Sequence, residues 1–159
     1  MNKSNPIKKT LLVGIGNYGR ADDALGWKFS DEFSSDERFD VEYRYQLQIE
    51  DAQLVSQYDR LIFVDASHEK YANGFSFQRC MPVLNSSYTT HKIAPETILW
   101  LAQDLYLANP ESYLMAITGN SWKLKIGLSK AASQNLNNAI EHFGHWLEAK
   151  LELTVHEIN

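Results

Sequence analysis

Two apolar runs without alternation constrain the fold of this chain more than any other feature. Leu11-Leu12-Val13-Gly14-Ile15 and Leu61-Ile62-Phe63-Val64 contain no polar side chain. A strand with one wet face alternates polar and apolar residues, so an unbroken apolar strand is buried on both faces, and that requires helices above and below a parallel sheet. Each run ends abruptly. The first meets Gly16-Asn17-Tyr18-Gly19 and the second stops at Asp65.

The remaining spacing completes the plan. Leu25, Phe29 and Phe33, four apart behind Asp22-Asp23, predict a helix with acids at its positive end. Val41, Tyr43, Tyr45 and Leu47 alternate with Glu42, Arg44 and Gln46, which predicts a strand with one face on the core. Residues 50–57 read as a short helix, and Phe75 and Phe77 form a strand behind the Asn73-Gly74 turn. Pro95 opens a helix carrying Ile98, Ala102, Leu105 and Tyr106, which Asn109-Pro110 stops. Tyr113 to Ile117 is a further strand, and Leu136, Ile140, Phe143, Leu147 and Leu151 form the stripe of a last helix. The predicted fold is a three-layer α/β/α sandwich around a twisted, mostly parallel sheet of five to six strands, residues 1–159 making one domain. Ligands of such sheets bind beyond the C-terminal strand ends, where the Gly14–Asp23 loop and Asp65 fall.

Charge and cysteine content remove whole classes of function. A net charge of −5 with scattered Lys and Arg offers no surface for a phosphate backbone, so nucleic acid is not an expected partner. Cys80 is the only cysteine, which excludes an intramolecular disulfide and a thiolate metal cluster. Beside Met81 and Pro82 it reads as a small buried hydrophobe. Met1 to Lys9 lead into an apolar stretch too short for a signal-peptide core or a membrane span, so a cytoplasmic protein is expected.

Gly14, Gly16 and Gly19 satisfy the dinucleotide-binding spacing G-x-G-x-x-G between a predicted strand and helix. Two features speak against it. Asp22 and Asp23 occupy the helix end that would hold pyrophosphate, and Asp40, at the right distance for the ribose-binding acid, precedes the second strand instead of ending it. The glycines equally suit a tight turn passing close to neighbouring strands.

Three side chains are candidates for a site. Asp22-Asp23 can be first-turn helix acids, Asp65 either caps the loop after its strand or projects at the strand's rim, and His91 lies in a polar loop before Pro95. If those loops converge, Asp23, Asp65 and His91 offer two carboxylates and an imidazole, a set suited to a divalent first-row metal with open positions. His68 is a second-tier candidate just after Asp65; His142 and His145 read as a solvated helix face.

The segment from Leu12 to Gly26, with its strand, Gly14-Ile15-Gly16-Asn17, acidic pair and glycine one helical turn later, resembles the opening motif of the nickel–iron hydrogenase maturation endopeptidases. Arg60 to Ala66, Thr90-His91 with Pro95 and Leu99, and Gly127-Leu128-Ser129 resemble the family's later motifs in the same order. The resemblance implies an α/β sandwich and places Asp23, Asp65 and His91 at the family's three nickel-contacting positions. It further implies an endopeptidase that trims the C-terminal extension of a hydrogenase large-subunit precursor, the nickel arriving with that substrate. Zinc or another divalent metal would suit the same donors. A non-catalytic, metal-dependent checkpoint or chaperone for the precursor is the alternative, and a nucleotide-binding α/β protein a further one. The chain departs from the family at Ala24 and over Thr118 to Lys125, where an acidic or Pro-Glu-like stretch is usual and Lys123 and Lys125 stand instead.

Overall fold

The computed structural model of the chain describes residues 10–84 and 93–158, with side chains as far as residue 150. Five strands, β1 (Thr10–Ile15), β2 (Phe39–Arg44), β3 (Arg60–Ser67), β4 (Phe75–Arg79) and β5 (Glu111–Thr118), form one sheet in the order β2-β1-β3-β5-β4. All neighbours run parallel except β4, which is antiparallel to β5. The helices are α1 (Leu25–Asp31), α2 (Asp51–Val55), α3 (Pro95–Tyr106) and α4 (Lys130–Ile158).

The two unalternating runs occupy β1 and β3 at the middle of the sheet, and side-chain parity divides them between two cores. Leu12, Ile62 and Val64 pack with Leu25 and Phe29 of α1 and Phe143 of α4. Leu11, Val13, Leu61 and Phe63 pack on the other face with Val55 of α2 and Ile98 and Leu99 of α3. Phe143 anchors the first core, its ring centroid 5.3 Å from that of Phe29 and 5.1 Å from that of Phe33. This is the predicted three-layer sandwich, with five strands.

Several boundaries differ from expectation, and one bears on the site: β3 does not stop before Asp65 but continues through it to Ser67. The alternating segment leaves the sheet at Arg44, so Tyr45 is 70% exposed while Leu47 turns back into the core. Leu47 no longer needs a ladder because it packs from a loop. The first helix opens as a 3-10 turn, Ala21–Ala24, before α1 proper. Finally, α3 ends at Tyr106 through Leu107 in the left-handed conformation (φ 55°), before Asn109-Pro110 can act.

Candidate functional site

The glycines of the first loop allow close approach of backbone to backbone. A Cβ on Gly26 would run into the carbonyl oxygens of Ile15 and Val64, so its absence lets α1 lie against the C-terminal ends of β1 and β3. A Cβ on Gly16 would likewise collide with the Asp23 carbonyl, which accepts the Asn17 N–H at 3.0 Å. Most of the loop's amides are committed to the protein. Those of Gly16, Asn17, Arg20, Ala21, Asp22 and Asp23 donate to the carbonyls of Arg44, Asp23, Asn17, Lys125, Ser121 and Arg20, and that of Gly19 to Asn17 Oδ1. A phosphate cradle needs such N–H groups open, so the geometry argues against a nucleotide. Asp40 lies at the start of β2, where its carboxylate accepts the Tyr58 hydroxyl at 2.7 Å, at the end opposite to a nucleotide crevice.

The two acids of the pair serve different purposes. Asp22 is fully buried. Its Oδ2 accepts the N–H groups of Asn120 (2.7 Å) and Ser121 (2.8 Å) and the Ser129 hydroxyl (2.7 Å), while Oδ1 accepts the Ser129 N–H at 2.7 Å. Burial alone would raise its pKa, but these donors outweigh burial and hold the carboxyl below its ordinary value. Asp22 therefore acts as a clasp joining the 3-10 turn to the segment between β5 and α4. Neither acid caps α1, whose N-cap, Ala24, has no side-chain hydrogen bond.

Asp23 faces the other way, into a cavity of about 730 Å³ that Asp65 also lines. The strand places Asp65 simply. Val64 is the last β3 residue registered with β1, so Asp65 stands just beyond β1's pairing while still in register with Ala116 of β5. Alternation puts it on the side of Leu61 and Phe63. Ile93 and Pro95, at the entry to α3, close the same cavity. His91 lies outside the described residues, and among the described residues no three His, Cys, Asp or Glu side chains assemble into a metal cluster. Two carboxylates lining one cavity are oxygen donors of the kind that suit a divalent cation when further ligands join them.

Of the other lining groups, His68 was a second-tier candidate in the sequence, whereas Arg20, Tyr45 and Trp122 were not legible from spacing alone. Arg20 adds a permanent positive charge to the lining of the same cavity. His68, with its ring centroid 4.0 Å from that of Trp122, forms an aromatic wall with it. Tyr45, packed 5.1 Å from Trp27, faces the cavity because β2 ends one residue before it. Trp122 belongs to the segment where the chain departs from the family pattern, and that departure was the only signal for it. Elsewhere, Cys80 is buried, its thiol pushed up to about 12 by burial and then by Glu96. His142 lies over Phe75 with centroids 5.0 Å apart, more engaged than a purely solvated face. His145 is exposed, with Glu141 at 3.9 Å.

Among solved structures, the hydrogenase 2 maturation peptidase of a Thaumarchaeota archaeon is similar at 20% identity and a TM-score of 0.62, covering 88% of this chain and 98% of that one. The hydrogenase maturating endopeptidase HybD from E. coli matches at 20% identity and a TM-score of 0.63, covering 89% and 93%. The nickel–iron hydrogenase maturation protease HycI from Thermococcus kodakarensis gives 18% and 0.67, again covering 89% and 93%. The fold is that of the hydrogenase maturation endopeptidases. No protein-family model and no curated protein matches the sequence. In this chain the five-stranded, mostly parallel sheet carries Asp65 on β3, and the 3-10 turn after β1 brings Asp23 to the same cavity. Among the described residues, no helix is long and apolar enough to cross a membrane.

Proposed function

We propose that this chain is an endopeptidase that removes the C-terminal extension of a nickel-loaded hydrogenase large-subunit precursor, and that Asp23, Asp65 and His91 contact the nickel carried by that substrate. The observation that supports the reading most is the meeting of Asp23 and Asp65 on one cavity at the C-terminal edge of the sheet, within the maturation-peptidase fold. The cavity, about 730 Å³, is far larger than an ion and falls within the roughly 300–1,000 Å³ usual for ligand-binding clefts. The precursor's thiolates would hold the nickel, the two carboxylates and the imidazole would complete its coordination, and the scissile peptide would be brought to the same place. Recognition and cleavage are then one event. A carboxylate beside the ion accepts the proton of an attacking water. Zinc or another divalent ion would satisfy the same donors, so metal exchange in the precursor separates tag from catalyst.

Purified chain incubated with nickel-loaded and nickel-free precursor tests the reading by the mass of the precursor. Release of a C-terminal peptide from the loaded form only, slowed on the order of 100-fold or more by Asp23→Asn, Asp65→Asn or His91→Ala, is the expected outcome. Binding at unchanged mass would instead identify a non-catalytic checkpoint, and stabilisation by NAD a nucleotide site.

A further inference from the structure

A strip next to the cavity-lining Trp122 is explained by neither the carboxylates nor the fold. Lys123, Leu124, Lys125 and Ile126 alternate cation and aliphatic side chain, and all four are exposed, Leu124 by 79% and Ile126 by 87%. Isolated exposed leucines are ordinary, but two aliphatic side chains interleaved with cations, directly following the cavity-lining Trp122, form a surface with a preference.

The strip is held in place. The Lys125 carbonyl accepts the Ala21 N–H at 2.8 Å, and the Lys125 N–H donates to the Lys123 carbonyl at 2.9 Å. Asp22 grips the backbone on both sides of it, at Asn120 and Ser121 before and Ser129 after. A surface fixed in this way loses little conformational freedom on binding, which favours affinity. It is also continuous with the cavity, since Trp122, immediately before it, is a lining residue. The Ala21 to Lys125 bond brings the strip to the backbone next to Arg20, itself exposed and lining the cavity. Three cations thus gather at one edge of a chain whose net charge is −5.

We propose that this strip is a docking surface for an acidic segment of the precursor that also carries apolar side chains, seated beside the extension to be removed. The proposal rests on the peptidase reading above. Charge complementarity selects the partner: clustered cations on an otherwise acidic protein attract an acidic surface and repel a basic one. The interleaved Leu124 and Ile126 select a peptide over a polyanion such as nucleic acid, which would leave both aliphatic groups unused. Lysines supply approach and selectivity, and the aliphatic pair supplies residence time.

Two double variants test it in the full chain, Lys123→Glu with Lys125→Glu, and Leu124→Ser with Ile126→Ser. All four side chains are in solvent, so thermal midpoints should match the wild type, and neither variant touches the carboxylates. Affinity for nickel-loaded precursor is measured by equilibrium binding at low and high salt, alongside kcat and KM for peptide release. Charge reversal should weaken binding roughly tenfold at low salt and much less at high salt. The serine pair should weaken it by a similar factor at both, and kcat should hold in each case. Wild-type affinity in both variants overturns the docking surface while leaving the peptidase reading intact. Binding that the variants weaken, with no peptide released by the wild type, overturns the peptidase reading and keeps the surface. A wild type that does not bind precursor overturns both.

Discussion

Asp22→Asn is the substitution that most directly tests how the site is assembled. The wild-type carboxylate accepts four hydrogen bonds from Asn120, Ser121 and Ser129 in full burial. The amide must place its NH2 somewhere, and the least damaging choice is the Oδ1 position, where it faces the Ser129 N–H. One bond is then lost and its donor orphaned, roughly 2–3 kcal/mol, while the other three fall from charge-assisted to neutral strength, about 0.5–1 kcal/mol each. Relief of the buried charge offsets part of this, leaving a net loss of about 3 kcal/mol. For a chain of this size that is a fall of roughly 6–12 °C in the thermal midpoint. The pH dependence supplies a second readout. The folded pKa is depressed, so the stabilisation is complete above the ordinary Asp value of about 3.9 and is lost as pH falls below it. Urea denaturation from neutral pH to acid should show the wild type losing stability across that window and the variant losing less. Some acid sensitivity persists in both, because Glu111 also titrates low, at about 2: burial raises it, but hydrogen bonds from Arg60, Lys150 and Tyr113 prevail. A variant within about 1 °C of the wild type at neutral pH, with an unchanged acid profile, would refute the clasp.

Other outcomes follow from the same geometry. Gly26→Ala forces a methyl group against the carbonyl oxygens of Ile15 and Val64, which are backbone and cannot swing aside. Urea unfolding should show a loss at or beyond the upper end of the roughly 1–3 kcal/mol usual for overpacking, with purified protein scarce if α1 cannot dock. Cys80, 5% exposed and with its thiol pushed up to about 12, should resist a thiolate-specific reagent at neutral pH in the native state and react fully in denaturant. Rapid native labelling would contradict its burial.

Hydrophobic period is a property of the chain itself, and the central strands, the α/β/α layering and the helices on Leu25 and Phe143 were all readable from it. So was the place of Asp65 near the C-terminal rim, although β3 runs past it to Ser67 along β5 and only the pairing with β1 stops at Val64, and so was the close-packing role of Gly16. What spacing cannot encode is which of two adjacent acids turns inward to bind backbone and which faces the cavity. Asp22 and Asp23 are equivalent in sequence, and only the Asn120 to Ser129 backbone, brought alongside by β5 and α4, tells them apart. Arg20, Tyr45 and Trp122 joined the site for the same reason, and the same packing turned the candidate His68 toward it. Their meeting depends on loops from separate crossovers ending at one edge of the sheet, and that convergence exists only once the two cores have packed.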